Sequence, residues 1–193
     1  MQLFLSDHIS KQIHNGIIQR PLTALVNKDA DLADLLSKAQ AAGAVTMADM
    51  VLDQSQMTLD DIAGAMKHLD YLVPSFHEAS YFTGKNTPEE IAEEFHRRGV
   101  KTVVLKMGAE GVFASSEGKT YRVGTIAAEV VDTLGGGDNF VAGFITGVVD
   151  GLSLEEALYF GSATAAIAIS QYGANGAVKS KQQVQEYLDT HRK

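Results

Sequence analysis

The hydrophobic pattern of this chain switches repeatedly between two periods. Short apolar runs over residues 22–26, 44–48, 71–73, 102–106 and 126–131 read as buried strands, and between several of them apolar positions recur at helical spacing. Over 31–42, Leu32, Leu35, Leu36 and Ala39 share one helix face and Gly43 is a stop. Thr58-Leu59-Asp60-Asp61 predicts a helix start, with the helix running to about Lys67. Thr87, Pro88 and Glu90 predict another: Thr87 caps, Pro88 suits the first turn, Glu90 completes a capping box, and the helix ends near Gly99. Residues 108–123 predict a hairpin turning at Glu117-Gly118. Further helices are expected over 140–149, from the capping box of Ser153 and Glu156 to about Gln171, and over 181–189. This alternation predicts an α/β fold, a mostly parallel sheet flanked by helices on both faces, with a C-terminal β-hairpin and helices. The 193 residues fit one domain, 1–193.

Composition narrows the function classes. A formal net charge of −8 gives no electrostatic footprint for nucleic acid or an anionic membrane. The chain has no cysteine, which excludes disulfides, thiol nucleophiles and cysteine-ligated zinc and suits a cytoplasmic protein. The N-terminus lacks the basic start and apolar run of a signal peptide. The most apolar stretch, 157–170, is too short to cross a membrane and contains Gly161, Ser162 and Thr164.

Candidate chemistry concentrates in Asp132-Thr133-Leu134-Gly135-Gly136-Gly137-Asp138, between the strand-like run 126–131 and the helix-like run 140–149. Glycines let a backbone turn tightly and approach a ligand, and the first N–H groups of a helix point outward at the positive end of its dipole. Together they describe a phosphate site. Asp138 puts a carboxylate beside it, able to take a proton from a hydroxyl that attacks the phosphate. The plainer alternative is a Gly-rich turn in which Asp serves the helix start.

Other positions carry paired readings. Gly108 and Gly111 follow a predicted strand and, by themselves, mark a tight hairpin entry; Lys106 before them is a phosphate contact or an ordinary exposed lysine. Glu78 follows another strand end and would steady a helix dipole from its first turn. His77 beside it is expected to face solvent, because a His-Glu-x-x-His zinc motif would need a histidine where Tyr81 stands. The small residues from Gly161 to Ala166 suggest close helix packing. Asp49 could face the site or cap a helix. A Walker ending at Gly118-Lys119-Thr120 fails because Phe113 stands where its glycine belongs. A dinucleotide fingerprint fails in the same way at Phe140.

The stretch from Asp132 to Phe140 resembles the second signature of the PfkB/ribokinase family of carbohydrate kinases, Asp-Thr-x-Gly-Ala-Gly-Asp-x-Phe, with Gly136 where the family usually has Ala. The resemblance implies an ATP- and Mg²⁺-dependent sugar or sugar-acid kinase, with a ribokinase-like fold and a small carbohydrate as substrate. It implies Asp138 as base and the amides of Gly135, Gly136 and Gly137 as the cradle of the transferring phosphate. Gly108 and Gly111 then lie on the nucleotide side, with Lys106 near the phosphates. Glu78 matches the glutamate of the family's Asn-x-x-Glu, which organises magnesium, with Ser75 in place of Asn. Asp132 and Thr133 would shape a monovalent-cation loop for K⁺, as in some relatives. Ser162, where the family often has Asn, and the pair Gly173-Ala174 would line the nucleotide pocket.

These matches all belong to the nucleotide-side half of the family fold. The strands, sugar-gripping residues and lid sheet that precede it in full-length members have no counterpart here, since residues 1–20 are too short to supply them. A naturally shortened product, a misassigned start and a fragment are all compatible with that. Two functions follow: a carbohydrate kinase, or a shortened, catalytically weak relative that binds nucleotide or a partner chain. A bare sheet edge would favour a homodimer.

Overall fold

The computed structural model describes residues 29–52, 57–174 and 176–192, and the backbone of 2–5. The strand expected over 22–26 lies outside the described residues. The chain divides into two compact units, Met1–Met107 with Phe113–Tyr121, and Gly108–Val112 with Arg122–Lys193.

The first unit is built on a sheet of six strands in chain order: β1 Gln2–Leu5, β2 Thr46–Asp49, β3 Tyr71–Leu72, β4 Thr102–Lys106, β5 Val112–Ser116 and β6 Lys119–Val123. β2, β3 and β4 are parallel, with Met47 opposite Tyr71 and Tyr71 opposite Thr102. β1 joins antiparallel, Gln2 opposite Asp49 and Leu5 opposite Thr46. Residues 2–5 thus supply one strand, which pairs with β2 and forms the edge of the sheet.

Around the sheet run α1 Asp29–Ala41, a 3₁₀ turn Leu59–Ile62, α2 Ala63–Met66, α3 Phe76–Thr83 and α4 Pro88–Arg97. Leu32 and Leu36 of α1, Ile91 and Phe95 of α4, and Val103 and Leu105 of β4 meet in one buried cluster. Val104, on the opposite face of β4, is equally buried, so this strand is covered on both sides, as its unbroken apolar run requires.

The helix expected from Thr58 to Lys67 is broken at Ile62, where φ is −126° and ψ is 17°. The cause lies elsewhere in the chain. The Asp29 carboxylate accepts from the amides of Gly64 and Ala65, each at 2.8 Å, and so starts a new helix there. The β5–β6 hairpin turns where expected, with Glu117 at φ 51° and Gly118 at φ 73°, the left-handed pair of a type I′ turn.

The second unit contains α5 Gly136–Val149, α6 Leu154–Ile169 and α7 Lys181–His191. α5 and α6 pack through glycines. A Cβ on Gly143 would stand 2.2 Å from Thr164 Oγ1, one on Gly147 2.9 Å from Ala157 Cα, and one on Gly161 2.9 Å from the Phe140 ring. The small residues of α6 thus serve the close packing expected of them. The strand expected over 126–131 does not form. Its apolar side chains do not share a buried face: Ile126 is buried, whereas Val130 and Val131 are exposed. The amide of Val131 donates to the Ile169 carbonyl, at the end of α6. The loop 132–138 is therefore not presented by the end of a strand.

Candidate nucleotide and phosphoryl-transfer residues

In the second unit, the loop before α5 is held from several directions. Asp132 accepts at one carboxylate oxygen from the amide of Leu134 and at the other from the amide of Gly173, both at 3.0 Å. These two bonds hold its carboxyl below the usual carboxylate range. Gly135, the N-cap, has φ +74°, and a Cβ there would stand 2.7 Å from the Cβ of Ala174. The Asn139 side chain donates to the carbonyls of Gly135 and Ala174, both at 2.9 Å. Asp132, Gly135, Gly173 and Ala174 are thereby locked into one arrangement, and Thr133 lies exposed within it.

At Gly136 a Cβ would approach Ile169 Cγ2 to 3.0 Å, tighter than an ordinary contact, so an alanine there would ask the Ile169 methyl to shift slightly. The amide of Gly136 donates to the Thr133 carbonyl, closing the turn. The amides of Gly137 and Asp138 lie in the first turn, where a helix offers no internal acceptor. Asp138, third residue of α5, is exposed.

Gly108 and Gly111 bound a single 3₁₀ turn, with φ of 59° and 87°. The Gly111 amide donates to the Gly108 carbonyl, and a Cβ on Gly111 would stand 2.1 Å from the Val123 carbonyl oxygen. Turn geometry alone demands both glycines. Ser162 is buried in α6 and its hydroxyl has no hydrogen-bond partner.

In the first unit, three charged side chains gather at the carboxyl edge of the parallel strands. Asp49 ends β2 and Lys106 ends β4, and their side chains pair at 2.6 Å. Both are largely buried, with side-chain exposures of 8% and 14%. Neither of the two sequence readings of Lys106, nor the helix-cap reading of Asp49, anticipated this pair. The two residues lie 57 positions apart, and only the strand order brings them together. Burial pushes the Asp49 carboxyl up, outweighing the lowering by Lys106, and the charge of Glu78 adds to the rise.

Between them the chain leaves β3. The Lys106 amide donates to the Pro74 carbonyl, and Ser75 bridges to Lys106. Ser75 caps α3 in a full capping box. Glu78 Oε2 accepts from the Ser75 amide at 2.8 Å and hydroxyl at 2.5 Å, while the Ser75 hydroxyl accepts from the Glu78 amide. Glu78 thus has a helix-start role whatever else it does, and Ser75, which weakens the family match, has its own structural reason. His77 is exposed, as expected. No group of three potential metal-ligating side chains gathers among the described residues. No described helix is long and apolar enough to cross a membrane.

The pfkB family of carbohydrate kinases matches residues 11–181, and the chain belongs to that family. A ribokinase of Haemophilus influenzae is 34% identical over 126 residues, which are 63% of this chain and 41% of that protein. A 2-dehydro-3-deoxygluconokinase of Bacillus subtilis is 34% identical over 145 residues, 72% of this chain and 43% of that one. Among solved structures, Arabidopsis thaliana ribokinase complexed with ribose and ATP aligns with a TM-score of 0.73 at 29% identity, covering 83% of this chain and 52% of that one. The fold is that of ribokinase, and the chain spans about half the length of the relatives it matches.

Proposed function

We propose that this chain is the nucleotide-side portion of an ATP-dependent kinase acting on a hydroxyl of a sugar or sugar acid. The observation that carries the reading is the locked loop 132–138, which ends in an exposed carboxylate in the first turn of a fourteen-residue helix. Asp138 takes the proton of the acceptor hydroxyl as the hydroxyl oxygen attacks the γ-phosphorus, and the bond from that phosphorus to the β–γ bridging oxygen breaks with ADP as the leaving group. Of the three glycine amides read as the anion cradle, that of Gly136 is taken by the Thr133 carbonyl, which leaves the amides of Gly135 and Gly137 for the phosphate, with that of Asp138 beside them. Lys106, Gly108, Gly111, Ser162, Gly173 and Ala174 belong to the nucleotide side. Asp132 and Thr133 shape the place of a K⁺ ion.

The donor set fits magnesium carried in with the nucleotide. Mg²⁺ takes one or two carboxylates together with phosphate oxygens, and Glu78 offers one such carboxylate. When bound, the ion neutralises charge on the phosphates. A cytoplasmic location, a small carbohydrate substrate and a homodimer complete the reading.

The second reading, a shortened relative that binds nucleotide or a partner chain without turnover, is favoured by the span of about half the relatives' length. One experiment separates them. The purified chain is given ATP and Mg²⁺ with a panel of hexoses, pentoses and sugar acids, and ADP release is followed. Saturable turnover that falls ~10²–10⁴-fold in Asp138→Asn, with ATP affinity kept within a few-fold, supports the kinase. ATP binding without turnover supports the second reading, and unchanged turnover in Asp138→Asn removes Asp138 as the base.

A further inference from the structure

The pair formed by Asp49 and Lys106 is unexplained by the fold alone. Burying two opposite charges costs more than a hydrophobic pair of the same volume would, so such a pair is weak support for stability. It sits at the carboxyl ends of two parallel strands, the edge at which α/β sheets bind ligands. It is largely buried but not sealed. The Lys106 backbone is fixed as well, through its amide bond to Pro74 and its bridge to Ser75, so the ammonium is held from both ends. The chain as a whole carries a formal charge of −8 and repels a polyanion. An ammonium has three N–H donors, and the bond to Asp49 uses one of them.

We propose that Asp49 is a positioning residue, holding the Lys106 ammonium at the carboxyl edge of the sheet as a fixed counter-charge for the phosphates of a nucleotide. The inference rests on the kinase reading above and adds to it. Asp49 acts only through Lys106, and its carboxylate touches no part of the nucleotide. The number of phosphates, rather than the base or the ribose, is what the pair senses.

The test compares ATP, ADP and AMP binding to the purified chain by calorimetry. The informative variant is the double replacement Asp49→Leu with Lys106→Met. It removes both charges at similar volume, so it leaves no lone charge in the interior. Expected is a loss of about 10-fold in ATP affinity, the scale of one charge-assisted hydrogen bond, with AMP affinity unchanged within about two-fold. Lys106→Arg, which keeps the charge, should retain the preference for ATP over AMP. Asp49→Asn should lose it as the double variant does, and its thermal melt separates that loss from unfolding.

A double variant that still prefers ATP over AMP as the wild type does overturns the inference and leaves the kinase reading standing. An equal loss for all three nucleotides also overturns it, since a purely structural pair would act on every ligand alike. A wild-type chain that binds none of the three overturns both.

Discussion

Gly135 shows how little freedom the candidate loop has. Its φ of +74° lies where a side chain costs roughly 1–2 kcal/mol, and the overlap with Ala174 adds to that. Gly135→Ala is expected to lower stability by about 2–4 kcal/mol, strain and overpacking together. It should weaken nucleotide binding too; thermal melts and ATP titration check both. Asp70 carries a different kind of constraint. Burial would push its carboxyl up. Hydrogen bonds from the Lys101 ammonium and from the amide and hydroxyl of Thr46 outweigh that and hold it below the usual value. A carboxyl depressed in the folded state stabilises the fold above its unfolded pKa of about 3.9. That contribution is lost as pH falls through the lower folded value. Urea melts from neutral pH to about pH 3 should show a fall in stability through this window, and Asp70→Asn should flatten it.

At the scale of elements, local signals decided what the sequence could reveal. β4 was legible to the residue, because Thr102 to Lys106 is an unbroken apolar, β-branched run that has to be buried on both faces. α4 and α6 were legible because Thr87 and Ser153 cap them within three residues of their glutamates. What failed was what depended on distant partners. The break at Ile62 is imposed by Asp29, and no reading of residues 58–67 contains it. Residues 126–131 have a strand's composition but pair with no strand: the Val131 amide donates to the end of α6, and the Ala127 carbonyl accepts from Tyr187 of α7. α3 showed only in the first-turn reading of Glu78, and the capping by Ser75 went unread because that residue stood out only as a departure from the family motif. In the candidate site, the loop 132–138 was legible as a motif, whereas the Asp49–Lys106 pair was not, since strand order is a property of the folded chain. Asp29→Ala should therefore cost ~1 kcal/mol, as lost helix caps do, and urea melts measure it.

For the whole molecule, the central matter is a chain that spans about half the length of the relatives it matches. Amides at a helix start bind phosphate without help from the rest of a kinase fold. Transfer asks for more, since an acceptor oxygen misplaced by about 1 Å can cost ~10²-fold. If the second reading holds, the chain binds ATP weakly and turns over little or no sugar; if the kinase reading holds, at least one sugar or sugar acid is turned over saturably. Calorimetry and ADP release across a sugar panel check the two halves of that statement. Robust turnover by a monomer, read by light scattering beside the assay, would show that these 193 residues suffice.

The seam between α5 and α6 bears on how such a chain tolerates change. Gly143, Gly147 and Gly161 set the distance between the two helices, each leaving less than 3.0 Å for a Cβ against Thr164, Ala157 and Phe140, so the seam works as a gauge with little play. At Gly147 the opposing atom is the Cα of Ala157, which cannot swing aside. In a library of every single substitution, these three positions should reject even alanine, whereas an exposed position on the same pair of helices, such as Glu155, accepts most residues. The carboxylate of Asp138 rides on one arm of that gauge, so its placement depends on glycines up to three turns away as well as on the bonds that lock the loop before it.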